Sequence, residues 1–418
     1  MNLTKEQSKI CDTLIDWISS RNKQKNHIVV AGYAGTGKTY LASKLRVLLN
    51  DIYGEDLTVG FCTFTGKASS VLAKKLEENN AVFSKDKTGT IHSLMYMPIF
   101  EKDSKGNKII KGWDKVADLN NYKLIIVDEG SMVNKIMWDD LTSYNIPIIV
   151  IGDHFQLPPI EGKFNLMEKP DLFLTEILRQ ESNELIEFAN YIRTTGRTGN
   201  YPIWMSPLKN IIKMDWRNPV TQKFIETKIP WKVADELPNY QILCGMNSTR
   251  VKLNNMVRKY KFGERPIENF PYPGERIVCL RNNYFTKLMN GQMGTLKWNL
   301  PAHKDMQTAS ISLDDASDSL YNTLIHLCCF GKVSYDEMSE LEINKKKINV
   351  VLKQNKIDKI DVFDFGYAIS VHRAQGSEWD KIVVIEERNR YQNDEMWARW
   401  LYTAVTRARQ KVVVITNF

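Results

Sequence analysis

Short, unbroken apolar runs recur along the chain, each followed by turn residues or a helical pattern. They are His27–Ala31, Thr58–Thr63, Lys123–Val127, Pro147–Ile151, Tyr240–Cys244, Lys381–Glu386 and Lys411–Ile415. Runs of this length without alternation predict strands buried on both faces of a parallel sheet. Between them the spacing predicts helices, as at Thr39–Leu49 and Ser69–Leu76. Another amphipathic helix is signalled by Thr4-Lys5-Glu6-Gln7 ahead of Ile10, Leu14, Trp17 and Ile18, with Thr4 and Gln7 spaced as a capping box. Strands alternating with helices imply an α/β fold with open, doubly wound sheets.

Two segments break the pattern. Residues 95–116 read as a hairpin, with Ser104-Lys105-Gly106-Asn107 supplying the turn. From 291 to 356 the chain returns to short strands, among them Gly294–Leu296 and Ser310–Leu313, and predicts a small β-rich insertion inside the second α/β half. Asn200–Asn239, rich in Pro and Trp, has no readable periodicity.

Composition narrows the class without naming a function. The 418 residues include 43% hydrophobic and 25% charged positions, which excludes disordered and fibrous classes and allows two to three domains. Lys and Arg outnumber Asp and Glu by 57 to 49, a surplus of +8 that tolerates a polyanionic partner without demanding one. The six cysteines contain no C-x-x-C spacing and there are only six histidines, so neither a zinc site nor a disulfide framework is expected. The first residues, MNLTKEQSKICDTLIDW, are too polar for a signal peptide, and no apolar run suits a membrane span. A cytoplasmic protein, bacterial or in a phage-infected host, with no membrane partner is expected.

Chemistry enters at Gly32-Tyr33-Ala34-Gly35-Thr36-Gly37-Lys38-Thr39, which fits G-x-x-x-x-G-K-[ST] between a predicted strand and helix. In that setting the backbone N–H groups around Gly35, Thr36 and Gly37 wrap phosphates and the helix N-terminus adds its dipole. Lys38 supplies charge to the β- and γ-phosphates, and the Thr39 hydroxyl is a Mg²⁺ ligand. Asp128-Glu129 follows the strand KLIIV. Asp128 suits the metal and Glu129 suits the attacking water. The two motifs together point to ATP or GTP hydrolysis. For Gln7, the residues alone favour the cap over a ligand role.

An ordered series of further motifs resembles the superfamily 1 helicases, in particular the 1B branch that includes the RecD and phage Dda helicases. It runs through LTKEQ, GYAGTGKT, TFTGKAS, GTIHS, DEGSM, GDHFQLPPI, LTEILRQ, VHRAQGSEWD and LYTAVTRAR, from Gln7 to Arg409. The resemblance implies two RecA-like P-loop NTPase domains with parallel sheets. Domain 1A would take 1–94 and 117–175, and domain 2A would take 176–290 and 357–418. It also implies a hairpin insertion 1B at 95–116 acting as a pin, and an SH3-like insertion 2B at 291–356.

The same resemblance implies roles for individual residues. Gln156 would sense the γ-phosphate, and Arg179 and Arg407 would be arginine fingers reaching it from the second domain. Gln7 would read the adenine edge, while Gly376 and Glu378 would meet the nucleotide, Glu378 at the ribose. Single-strand contacts would come from Thr65, Lys67, Thr90, His92, Asn247, Ser370 and His372. At the hairpin, Phe100 and Trp113 are equally suited to wedge a base pair or to pack on domain 1A. Two positions depart from the usual motifs: Phe64 replaces a proline and Arg373 replaces a frequent lysine.

The expected protein is thus an ATP- and Mg²⁺-dependent DNA helicase, monomeric and moving 5′ to 3′ on single-stranded DNA at junctions with duplex. It would serve replication, recombination or repair, with a single-strand-binding protein or replisome component as partner. The alternatives are a translocase that displaces bound proteins, an RNA-directed helicase of the same branch, and a non-motor ATP-switched nucleic-acid-binding protein.

Overall fold

The computed structural model describes residues 3–20, 25–102, 108–159, 164–178, 183–199, 204–236, 238–263, 269–283, 288–303, 305–314, 320–335, 360–388, 390 and 392–416, without the side chains of 55, 100–102, 108–112 and 303. Two compact units result, Met1–Gln180 and Glu181–Phe418. The division falls later than the expected 175/176 boundary. The reason is local: the Leu178 N–H donates to the Gly35 carbonyl at 2.9 Å, which holds the segment ahead of the division on the first unit.

In the first unit the strands are β1 (His27–Gly32), β2 (Val59–Thr63), β3 (Lys87–Thr90), β6 (Leu124–Val127), β7 (Ile148–Gly152) and β8 (Leu172–Leu174), with β4 (Tyr96–Lys102) and β5 (Lys108–Lys115) forming a separate antiparallel pair. The six form one parallel sheet in the order β3-β2-β6-β7-β1-β8. β1, β2, β6 and β7 fall on the predicted apolar runs. β3 (KTGT) carries no apolar signal and exists because β2 offers it an edge to pair with.

Successive side chains of a strand point to opposite faces, and both faces of this sheet are covered. Val30, Phe61, Ile126 and Ile149 pack against helices Lys5–Ser19, Lys38–Tyr53 and Gly66–Glu78 through Leu14, Leu45 and Leu72. Val29, Ile125 and Val150 pack oppositely, against Trp138 and Leu141 of helix Lys135–Thr142 and against Ile91 and Met95. Each such buried side chain stabilises the fold by about 1.5–3 kcal/mol. The expected hairpin is present as β4 and β5, with a register shift between Ile99 and Phe100. Its expected turn at Ser104–Asn107 lies outside the described residues.

The second unit contributes β9 (Trp204–Met205), β10 (Ile211–Asp215), β11 (Tyr240–Cys244), β12 (Arg276–Cys279), β13 (Met293–His303), β14 (Met306–Leu313), β15 (Leu320–His326), β16 (Ile360–Phe365), β17 (Ala368–Ser370), β18 (Trp379–Glu386) and β19 (Ala408–Thr416). Six of them form a sheet ordered β17-β11-β18-β19-β10-β9, parallel except for the β9–β10 pair. β9 and β10 arise from the segment that showed no periodicity. Met214, Val383, Ile385, Val413 and Ile415 face the helical segments that hold Ile225, Ile229, Val233, Leu253 and Val257. Helices Asn183–Thr195 and Asp394–Val405 pack on the sheet's other face.

β12 to β16 close into a five-stranded barrel. It is larger than the 291–356 insertion expected, because β12 and β16 belong to it rather than to domain 2A. Their pairing closes the barrel, with Ile277 opposite Phe365 and Cys279 opposite Phe363, and closure removes the exposed strand edges. Helix Asn247–Phe262 anchors the barrel with two buried arginines. Arg258 pairs with Glu275 at 2.8 Å and lies 3.7 Å from the centre of the Phe365 ring. Arg250 pairs with Asp364, which also accepts from the Tyr335 hydroxyl at 2.8 Å. Burial raises the Glu275 carboxyl above its ordinary range, opposed by Arg258 and Tyr367.

All six cysteines are free thiols. Among the described residues no group of His, Cys, Asp and Glu is placed to form a metal cluster, and no helix is long and apolar enough to cross a membrane.

Candidate nucleotide site and nucleic-acid interface

The phosphate loop leaves the C-terminal end of β1 and enters helix Lys38–Tyr53. Gly35 and Gly37 sit at φ +84° and +77°, the left-handed region that favours glycine. A Cβ at Gly37 would also come within 2.7 Å of the Gln7 amide nitrogen. Lys38 Nζ donates to the Gly32 and Tyr33 carbonyls at 2.9 and 2.8 Å, which holds the charge over the loop.

Gln7 satisfies two roles at once. Its Oε1 accepts from the Thr4 N–H at 3.2 Å while Thr4 Oγ1 accepts from the Gln7 N–H at 3.3 Å, so the capping box is present. Its Nε2 donates to the Thr36 carbonyl at 3.1 Å, and the residue is 1% exposed. One amide therefore caps the first helix and braces the phosphate loop.

Thr39 and Asp128 meet directly, the Thr39 hydroxyl donating to Asp128 Oδ2 at 2.9 Å. Hydroxyl and carboxylate are both hard oxygen donors, the set that Mg²⁺ takes. Next to Asp128, Glu129 adopts φ +56°, unusual for a residue with a side chain. Strain of this kind is characteristic of functional positions. The strained turn is pressed against the end of β7: a Cβ on Gly152 would lie 2.9 Å from the Gly130 nitrogen. Beyond β7 the buried Asp153 organises the next loop, accepting from the Phe155 N–H at 3.0 Å. Gln156, 4% exposed, lies within that loop. The C-terminal ends of β1, β6 and β7 thus gather Lys38, Thr39, Asp128, Glu129 and Gln156.

Three supporting contacts were not legible in the sequence. The His154 ring packs 4.8 Å from the Tyr33 ring, joining the loop after β7 to the phosphate loop. Glu6 is opposed by burial but accepts from the Thr175 hydroxyl at 2.6 Å and from the Glu176 and Thr175 N–H groups at 2.9 and 3.0 Å, and these bonds hold its carboxyl below the usual range. The third is the Leu178–Gly35 bond. The last two tie the segment before Arg179 to the nucleotide site; Arg179 itself lies outside the described residues. Each pairs residues from distant motifs, so no local signal marks it.

The single-strand candidates share a local design. Thr65 caps helix Gly66–Glu78 by accepting from the Ala68 N–H at 3.2 Å, with Lys67 half-buried in its first turn. Thr90 caps Ile91–Met95 in a capping box with Ser93. Ser370 caps Val371–Ala374 by accepting from the Arg373 N–H at 3.4 Å. Thr65, Thr90 and Ser370 each stand at or just beyond the C-terminal end of a parallel strand. Asn247 is the exposed first residue of its helix, and just ahead of it the Gly245 and Met246 N–H groups donate to Glu387 at 3.2 Å.

The two histidines differ in setting. His92 packs 4.6 Å from Tyr96 and edge-on to Trp113 at 4.8 Å, so Trp113 is half-buried against helix Ile91–Met95, on the domain 1A side of its two expected settings. The Phe100 side chain lies outside those described. Burial lowers the pKa of both His92 and His372.

Within the second unit, Arg407 is gathered with the Gly376–Glu378 turn. Its guanidinium donates to the Thr403 carbonyl at 3.1 Å, the Ser377 carbonyl at 3.2 Å and Thr406 Oγ1 at 3.2 Å, leaving the residue 3% exposed. Gly376 takes φ +73° and Glu378 is exposed beside it.

Comparison with known proteins agrees with this arrangement. An AAA domain family matches residues 2–201, and the UvrD-like helicase C-terminal domain family matches residues 365–415. The RecBCD enzyme subunit RecD of Buchnera aphidicola subsp. Acyrthosiphon pisum is 32% identical over 94% of the chain and 70% of its own length. The chain belongs to the superfamily 1B helicases. Another relative in this superfamily, the ATP-dependent RecD2 DNA helicase of Deinococcus radiodurans, is 25% identical over 98% of the chain, which spans about half (48%) of that protein. The crystal structure of the Pif1 helicase from Candida albicans shares the fold, with a TM-score of 0.53 at 16% identity, covering 99% of this chain and 94% of that one. The superfamily's α/β architecture with parallel sheets is therefore that of this chain.

Proposed function

We propose that this superfamily 1B helicase hydrolyses ATP at the phosphate loop and uses the cycle to move 5′ to 3′ along single-stranded DNA, separating the duplex ahead. The observation that carries the reading is the Thr39–Asp128 contact at the mouth of a glycine-formed phosphate loop, beside the strained Glu129.

Mg²⁺ held by Thr39 and Asp128 would neutralise phosphate charge. Lys38 releases its two loop carbonyls to meet the β- and γ-phosphates. Glu129 orients water and takes its proton, and Gln156 senses the phosphate's departure from the adjoining loop. Gln7 reads the adenine edge from its place under the loop, and Gly376 with Glu378 meets the nucleotide at the ribose. Arg179 and Arg407 serve as arginine fingers; for Arg407 this means exchanging its present carbonyl partners for phosphate oxygens. Such a finger stabilises transition-state charge.

On the nucleic-acid side, Thr65, Lys67, Thr90, His92, Asn247, Ser370 and His372 contact the strand. Hydroxyls and N–H groups at helix starts position phosphates without reading sequence. The hairpin β4–β5 meets the junction. Wild type is tested on duplexes carrying 5′ or 3′ single-stranded tails of DNA or RNA, beside Lys38→Ala. ATP-dependent unwinding of the 5′-tailed DNA duplex, lost in Lys38→Ala, is expected. Unwinding only of the 3′-tailed or RNA duplex would overturn the polarity or the substrate.

A further inference from the structure

A cavity of about 500 Å³ opens at the C-terminal edge of the second sheet, apart from every residue assigned to the nucleotide or the strand. Its floor is polar and buried. Lys213 and Asp215 of β10, Glu386 of β18 and Thr416 of β19 turn to the face opposite Met214, Ile385 and Ile415, and each is less than a tenth exposed. Its position is favoured by topology. The connection leaving β10 passes to one face of the sheet, through Ile225 and Ile229, whereas that leaving β18 passes to the other, through helix Asp394–Val405. Crevices at such divergences, beyond the carboxyl ends of strands, are where open α/β sheets bind ligands.

The charges on the lining favour an anion. Four cationic side chains, Arg197, Lys213, Arg217 and Arg388, stand against three carboxylates. Every one of those carboxylates already has a partner, in two cases one of these cations, which leaves a net charge of +1 on the lining. Asp215 holds Arg217 at 2.7 Å, Asp394 holds Arg388 at 2.5 Å, and Glu386 accepts from the Thr198 hydroxyl at 2.9 Å. Burial raises the Glu386 carboxyl above its ordinary range, opposed by Thr198 and Lys213. Arg197 is exposed at the rim, and the Arg217 side chain is 68% exposed.

The edge is continuous with the proposed strand track. β18, which ends in Glu386, is the direct neighbour of β11, after which Asn247 stands; Ser370 ends β17, one strand further on. At a strand spacing of about 4.8 Å, the pocket's far wall at β10 lies roughly 14 Å along the edge from β11. That is within reach of an outlying nucleotide of a bound single strand.

We infer that this pocket is an outer subsite for the single strand, taking one backbone phosphate between Arg197, Arg217 and Arg388 beyond the contacts at Asn247 and Ser370. The inference rests on the proposed single-strand track and adds a site that none of its motifs contains.

The test compares DNA oligonucleotides of a minimal bound length with ones extended by a few nucleotides on either the 5′ or the 3′ side, using wild type, Arg197→Glu and Arg197→Lys. For wild type, extension on one side only is expected to tighten binding about tenfold. In Arg197→Glu the long-to-short affinity ratio falls to about one, and Arg197→Lys keeps part of it. The log–log salt slope for the long oligonucleotide should drop by about 0.7, the value of one single-strand phosphate contact. A length gain that survives Arg197→Glu overturns the pocket alone. Absence of single-strand binding by wild type at any length overturns the strand reading with it. Adenosine monophosphate binding that Arg197→Glu abolishes, without any length gain, shows a free-nucleotide pocket and overturns the subsite.

Discussion

The carboxyl edges of the two sheets would, on the proposed reading, solve the same electrostatic problem with different materials. In the first unit the edge at β1 is made of glycine backbone, so N–H groups and one lysine line the proposed phosphate position and Gln7 braces the loop through the Thr36 carbonyl. In the second unit β10 ends in Asp215-Trp216-Arg217-Asn218, with no glycine of its own, and the cavity at that edge is lined by ion-paired side chains beside the turn that holds Gly196 and Gly199. Backbone donors are fixed before a ligand arrives and suit chemistry that tolerates little misplacement. Flexible guanidinium groups suit a backbone that slides. A shared topology thus places the edge, while the composition of the loop governs what the edge can do.

The largest expected effect tests whether the second unit takes part in chemistry. Arg407→Ala should lower the DNA-stimulated ATPase rate by about 10³–10⁵-fold, with the thermal midpoint checking that the buried site still folds. A rate near wild type would reduce Arg407 to a strut between helix Asp394–Val405 and the Gly376–Glu378 turn. On the other edge, Glu129→Gln should cost about 10²–10⁴-fold in the same steady-state assay, the range of a lost general base. If turnover were normal, water activation would have to lie elsewhere.

Smaller effects separate the two units through stability. Arg258→Ala leaves Glu275 buried without its cation and should lower stability by about 3–5 kcal/mol, read by urea unfolding of the second unit. In the first unit, Thr4→Ala removes only the cap and should cost about 1 kcal/mol. Gln7→Ala should cost that and raise KM for ATP as well. Equal KM values in the two variants would make Gln7 a cap only.

The smallest effect is a pH dependence. Burial lowers His372 below its ordinary pKa of 6.5, so the unfolded chain binds this proton more readily than the folded one. The associated stability is present above about 6.5 and is lost as the pH falls through the lower folded value. Acidification should lower the thermal midpoint, and His372→Gln should flatten that decline, while His27 and His92 retain theirs with the same sign.

Much of the candidate nucleotide site was legible because its determinants are contiguous. Gly32 to Thr39 and Asp128-Glu129 each follow a strand that the apolar runs reveal. Gln7 was half legible: its cap is a three-residue relation, but its bond to the Thr36 carbonyl joins two elements that only folding brings together. β3, with the sequence KTGT, and β10, inside a stretch without periodicity, became strands through their neighbours rather than their own propensity.

Residues a few positions apart were enough to set the alternation of strands and helices, the phosphate loop, the capping box of Thr4 and Gln7, and the motif series that led to the superfamily. At that range backbone geometry alone fixes the outcome. Folding of the whole chain was needed for β12 and β16 to close a barrel, for Arg407 to be buried against Ser377, and for Lys213, Glu386 and Thr416 to share one cavity floor. Those outcomes depend on pairings between distant segments, which are fixed when burial excludes water from several strands together.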